Sequence, residues 1–138
     1  MTKQSRRKFV ASAAALTAGT VATAMTTATF EKKKKMQVTH HVFFWLKNRD
    51  SKEDRDTLIE GLRTLRGIKT VRKLHIGIPA STEERPVVDS SYSVSELMFF
   101  DDVAGQDAYQ SDPIHLQFVE KYSHLWEKVI VYDSINVE

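Results

Sequence analysis

Apolar and polar positions change period several times along this chain, and each change predicts an element. Val38 to Lys47, VTHHVFFWLK, is rich in β-branched and aromatic residues and apolar on both alternating faces, the pattern of a strand covered on two sides. Counting by twos puts His40, Val42, Phe44 and Leu46 on one face, and His41, Phe43 and Trp45 on the other. Asp50 and Glu53 then resemble a capping box, and Leu58, Ile59, Leu62 and Leu65 recur at helical spacing up to Gly67. An amphipathic helix of about four turns follows from that period. In TVRKLHIGIP, from Thr70, alternation returns at Leu74, Ile76 and Ile78 until Pro79 stops it, and a polar loop, ASTEERPVVDSS, comes next. YSVSELMFFD, from Tyr92 to Asp101, predicts a third strand, and Asp101 or Asp102 caps a short helix ending near Ser111. Asp112-Pro113 starts another helix, because proline lacks only an N–H that the first helical turn does not use and aspartate is a good cap acceptor. EKVIVYDSINV, residues 127–137, is the last strand.

The order β-α-β-β-α-β predicts an α+β domain of the ferredoxin-like kind, a four-stranded antiparallel sheet with its helices on one face. The other face of the first strand still carries Phe43 and Trp45. That much exposed aromatic surface predicts a second copy of the chain covering it, hence a homodimer.

At 138 residues there is room for one domain and a short extra segment. The sequence contains no cysteine, which excludes disulfides and thiol chemistry. The formal charge of +2 is made by the N-terminus: from Met36 onward 12 basic residues stand against 17 acidic ones, a net of −5. Such a domain does not attract phosphate backbones, so nucleic acid is not an expected partner. SRRKFVASAAALTAGTVATAM begins with paired arginines and runs on through small, weakly apolar residues, and it resembles a twin-arginine export signal. The expected organisation is therefore a signal peptide over 1–28, a basic linker over 29–36 and the domain over 37–138. The mature protein is expected outside the cytoplasm, in the periplasm, with no membrane attachment after signal removal.

The candidate chemistry sits in YQSDPIHLQF. On the helix after Pro113, Ile114, Phe118, Val119, Tyr122, Leu125 and Trp126 span one apolar arc, and His115 falls inside it. Composition alone favours a packed core histidine. Its neighbours favour chemistry: Tyr109 lies six residues back across the helix break, and His40 lies on the helix-facing side of the first strand. A histidine in a mostly apolar pocket, with a phenol and a second imidazole nearby, moves protons on small molecules near neutral pH. His40, Tyr109 and His115 are the candidate catalytic residues, with His41, Phe44, Phe118 and Trp126 as candidate substrate contacts. Asp112 and His115 lack a third ligand, so no metal is expected, and with no P-loop and no dinucleotide-binding glycine pattern no cofactor is expected either.

These motifs resemble the stress-responsive A/B barrel domain family: the first strand HHVFFWLK, Tyr109 followed by QSDPIH in place of the family's xxHPxH, and LWEKVIVYDS at the end. The resemblance covers residues 38 to 134. It implies a homodimer whose two sheets form a dimeric α+β barrel, and a pocket for a small molecule. One plant member closes a polyketide chain by aldol condensation without metal or cofactor, using a first-strand histidine, the motif's tyrosine and its second histidine. Carried over, these are His40 (or His41, by a different count), Tyr109 and His115. The motif's first histidine is Asp112 here, and the tyrosine that the cyclase carries in its first helix is replaced by Leu62. The implied activity is therefore a cofactor-free acid/base reaction, cyclase- or lyase-like, with a non-catalytic dimeric binding or stress-protective module as the alternative.

Overall fold

A computed structural model of the protein describes residues 36–138. The expected export segment and, apart from Met36, the expected linker lie outside the described residues.

Four strands, β1 (Val38–Leu46), β2 (Lys73–Gly77), β3 (Val94–Phe100) and β4 (Trp126–Ile135), form one antiparallel sheet in the order β2-β3-β1-β4. Three helices, α1 (Lys52–Thr64), α2 (Val103–Ser111) and α3 (Pro113–Tyr122), complete the ferredoxin-like plan that the sequence predicts. The strand register sets the two faces of the sheet. His40 stands opposite Met98 on β3 and Asp133 on β4, so His40, Val42, Phe44 and Leu46 share a face with Val94, Glu96, Met98 and Phe100. That face packs on Leu58, Leu62, Tyr109 and Phe118 from the helices, and this contact is the core. Phe100, Met98, Leu46, Leu58 and Leu62 are fully enclosed, each contributing roughly 1.5–3 kcal/mol of transfer energy.

Three local expectations are corrected. Helix α1 is capped by Ser51, whose hydroxyl accepts the Asp54 N–H at 3.1 Å, and not by Asp50. Ser51 has the extended backbone that a cap requires. Trp45, expected to be exposed, is buried: its indole N–H donates to Ser91 Oγ at 3.0 Å, and Lys128 Nζ lies 4.4 Å from its ring centroid. The end of the long β2–β3 loop thus covers one end of the open face. Val119 is exposed, so the apolar arc on α3 is narrower than expected, with Phe118 and Tyr122 its buried residues.

Helix α1 meets α3 at Gly61. A Cβ there would lie 2.7 Å from two carbons of the Tyr122 ring and 2.9 Å from its Cγ. The ring cannot swing aside easily, since it is buried and packed on Phe118 with centroids 5.5 Å apart. Gly61→Ala is therefore expected to lose stability by about 1–3 kcal/mol, although alanine favours a helix interior by about 1 kcal/mol. A lower urea midpoint would show it, and a double-mutant cycle with Tyr122→Ala would show strong coupling. An unchanged midpoint would mean that the two helices separate without cost.

Candidate functional site

His40 reaches the interior because β1 alternates, and β4 supplies its partner. Its Nδ1–H donates to Asp133 Oδ1 at 2.6 Å, a charge-assisted bond between a 4% exposed imidazole and a half-exposed carboxylate. With Nδ1 committed to Asp133, Nε2 is the ring nitrogen left for other partners.

Tyr109 and His115 come from opposite sides of the α2–α3 break. The Asp102 carboxylate caps α2 by accepting the Gly105 N–H at 2.8 Å. Asp112 ends that helix and caps the next, accepting the Ile114 N–H at 2.8 Å, with Pro113 in the first turn. The break turns both side chains toward the same space. Tyr109 is only 1% exposed, and its ring centroid lies 5.6 Å from His40, 5.4 Å from Phe100 and 4.4 Å from His115. The phenol thus stands between the two imidazoles.

His115 is half-buried, and its Nδ1–H donates to the Gln110 carbonyl at 3.0 Å, one of the carbonyls left free at the end of α2. Burial lowers its pKa, with the nearby His40 acting in the same direction, while the Gln110 bond and Asp112 pull it up. The ring is neutral at pH 7 with Nε2 free to take a proton. Burial and then the Glu96 carboxyl raise the Tyr109 pKa, so its hydroxyl stays protonated as a donor.

Glu96 is the residue that sequence reading missed. It lies on the helix-facing side of β3, is 2% exposed, and its Oε2 has no hydrogen-bond partner. Burial pushes its pKa up to about 8. A signal was present: counting by twos from Phe100 and Met98 places a carboxylate on an otherwise apolar stripe. Asp133 was missed as well, because the β1–β4 register is not written in either strand alone.

The remaining candidates fall elsewhere. His41 lies on the open face, its ring 4.3 Å from Phe43, and does not join His40. Burial, His75 and His40 in that order lower its pKa. Phe44, Phe118 and Trp126 do come together, with centroids 5.0 to 6.5 Å apart, but as a separate aromatic group four residues along β1 from His40. Among the described residues no group of three or more His, Asp or Glu side chains is placed to hold a metal ion.

A ferredoxin-like α+β sheet whose helix-covered interior holds two imidazoles, a phenol and a carboxyl defines the class of this protein. The chain matches the model of the stress responsive A/B barrel domain over residues 38–136 and belongs to that family. No match was found among curated proteins. Among solved structures, a family member with a ferredoxin-like fold from Mesorhizobium loti is 22% identical, with a TM-score of 0.61 over 74% of this chain and 98% of that one. The hydroxynitrile lyase of Passiflora edulis is 23% identical, with a TM-score of 0.62 over 74% and 94%. A protein from Bacteroides fragilis described as dimeric is 17% identical, with a TM-score of 0.56 over 72% and 96%. At these identities the likeness establishes the fold alone.

Proposed function

We propose that the protein is an exported homodimer that acts on a small molecule by cofactor-free acid/base chemistry of the lyase kind. The observation that carries this reading is the row His40–Tyr109–His115, in which each imidazole commits Nδ1 to an acceptor and His115, neutral at pH 7, keeps Nε2 as a base beside a protonated phenol. A base and a hydrogen-bond donor side by side suit removal of a hydroxyl proton while a neighbouring carbon–carbon bond breaks. The similarity to a hydroxynitrile lyase makes a hydroxynitrile the first compound to try.

Mandelonitrile is therefore the probe, and release of benzaldehyde the readout. His115→Gln is expected to lower kcat by roughly 100-fold or more while the fold is kept. Wild-type protein that releases benzaldehyde no faster than buffer would sink the lyase reading. The tight packing of His40, Tyr109 and Glu96, all at most 4% exposed, favours a second reading: a non-catalytic dimeric binding or stress-protective module. Saturable binding of benzaldehyde without turnover would support it. Export is tested separately, by fusing residues 1–36 to a folded reporter. Periplasmic reporter that persists in cells lacking the twin-arginine translocase would refute the proposed route.

A further inference from the structure

Glu96 has no part in the row just described, yet the fold places it beside that row. In the β1–β3 register Val42 faces Glu96 and His40 faces Met98, so Glu96 and His40 are diagonal neighbours on one side of adjacent strands, about 7–8 Å apart or less. The carboxyl is also close enough to Tyr109 to act on its ionisation. A buried carboxyl with an unpartnered oxygen costs stability, which a purely structural role does not explain. An apolar residue would fill the same space without that cost.

We propose that Glu96 is the acid of this site, giving its carboxyl proton to the carbon that leaves when a hydroxynitrile or related α-hydroxy compound is cleaved. The proposal rests on the lyase reading. The step balances without an added reagent. His115 Nε2 takes the substrate hydroxyl proton, the oxygen's electrons form the C=O bond, and the bond to the nitrile carbon breaks with its electron pair on cyanide. Glu96 protonates that cyanide, so an aldehyde and hydrogen cyanide leave. The proton held on His115 then returns to the Glu96 carboxylate, restoring both groups. No lysine or arginine belongs to the described cluster, so the substrates it suits are uncharged. The elevated pKa of Glu96 fits the role, since a carboxyl in ordinary surroundings has already lost its proton at pH 7.

The test uses the full chain with mandelonitrile across pH 5.5 to 9.5. Wild-type kcat is expected to fall on an alkaline limb whose midpoint matches the pH at which the infrared band of a buried carboxylic acid disappears. Glu96→Gln should lower kcat 100-fold or more with little change in KM, and should remove both the limb and the band. Glu96→Asp should restore part of the rate and return an alkaline limb. Wild-type cleavage that survives Glu96→Gln with its alkaline limb intact overturns the assignment of Glu96 alone. An alkaline limb whose midpoint differs from that of the band overturns it too, and needs no variant to fold. Failure of the wild-type protein to cleave the probe overturns the lyase reading and this step together.

Discussion

The folded protein is expected to lose stability as the pH rises from about 6.5 to about 8.5, and Glu96→Gln is expected to abolish that loss. The Glu96 carboxyl has its pKa raised from an ordinary value of 4.5 to about 8 by burial. A group raised on folding holds its proton more tightly in the folded state, so its stabilising effect is complete below the unfolded value. That effect is lost as the pH climbs through the folded value. Every tenfold difference in proton affinity between the folded and unfolded chain corresponds to about 1.4 kcal/mol, so of a loss that begins near pH 4.5 about 2 kcal/mol falls between pH 6.5 and pH 8.5. That is a large share of the roughly 5–15 kcal/mol that holds a typical domain together. His41 and His115 work in the opposite sense, because their pKa values are lowered on folding. They withdraw stability only as the pH falls below about 6.5, where the unfolded chain gains protons first. Above that value Glu96 governs the slope. Urea midpoints of wild type and Glu96→Gln at pH 6.5, 7.5 and 8.5 separate the two effects. If the wild-type midpoint is as flat as that of the variant, the carboxyl is not held neutral by its surroundings.

Sequence periodicity located most of what surrounds this carboxyl. The alternation of β1 separates His40 from His41, and the structure puts the first inside and the second on the open face. The Asp112-Pro113 step reads as a helix start in both, since cap and proline act through the local backbone. What escaped depends on distant parts of the chain. The pairing of His40 with Asp133 spans 93 residues and is fixed only when β4 takes its register on β1. Trp45 looks like exposed surface until the loop ending at Ser91 folds across it. Glu96 escapes for another reason: a charged residue in a strand is ordinarily assigned to the solvated side, whereas this one shares the buried face of Val94, Met98 and Phe100.

The second large effect concerns the open face of the sheet, where Phe43→Asp is expected to convert a dimer into monomers. One row across the strands there runs Tyr132, His41, Leu97, His75, and Phe43 packs edge-on against Tyr92 and Tyr132 at 4.9 and 6.0 Å. Tyr132 is 62% exposed, and on the other, helix-facing side of the same edge strand Val129, Val131 and Ile135 are open to water as well. An edge strand with that much apolar surface invites another chain, and several proteins of this fold are described as dimeric. A second copy related by two-fold symmetry would bring the same row against itself. An aspartate in place of Phe43 would then lose its hydration opposite apolar partners, at a cost of about 3 kcal/mol or more, over 100-fold in dissociation constant. Acid should act in the same direction. Among the described residues, the ionisable groups that the register places on this face, apart from phenols, are His41, His75, Lys73 and Lys128, and the carboxylate of the covering loop, Asp89, acts on Lys128 beside Trp45. Protonation of His41 is already opposed by burial and by His75, and a facing copy would oppose it further, so the dimer should weaken as the pH falls below about 6.5. Sedimentation at micromolar concentration, at pH 7.5 and pH 5, with circular dichroism to confirm the fold of the variant, reads both effects. A wild-type monomer at pH 7.5, or a Phe43→Asp protein that still sediments as a dimer, would show that the partner surface lies elsewhere.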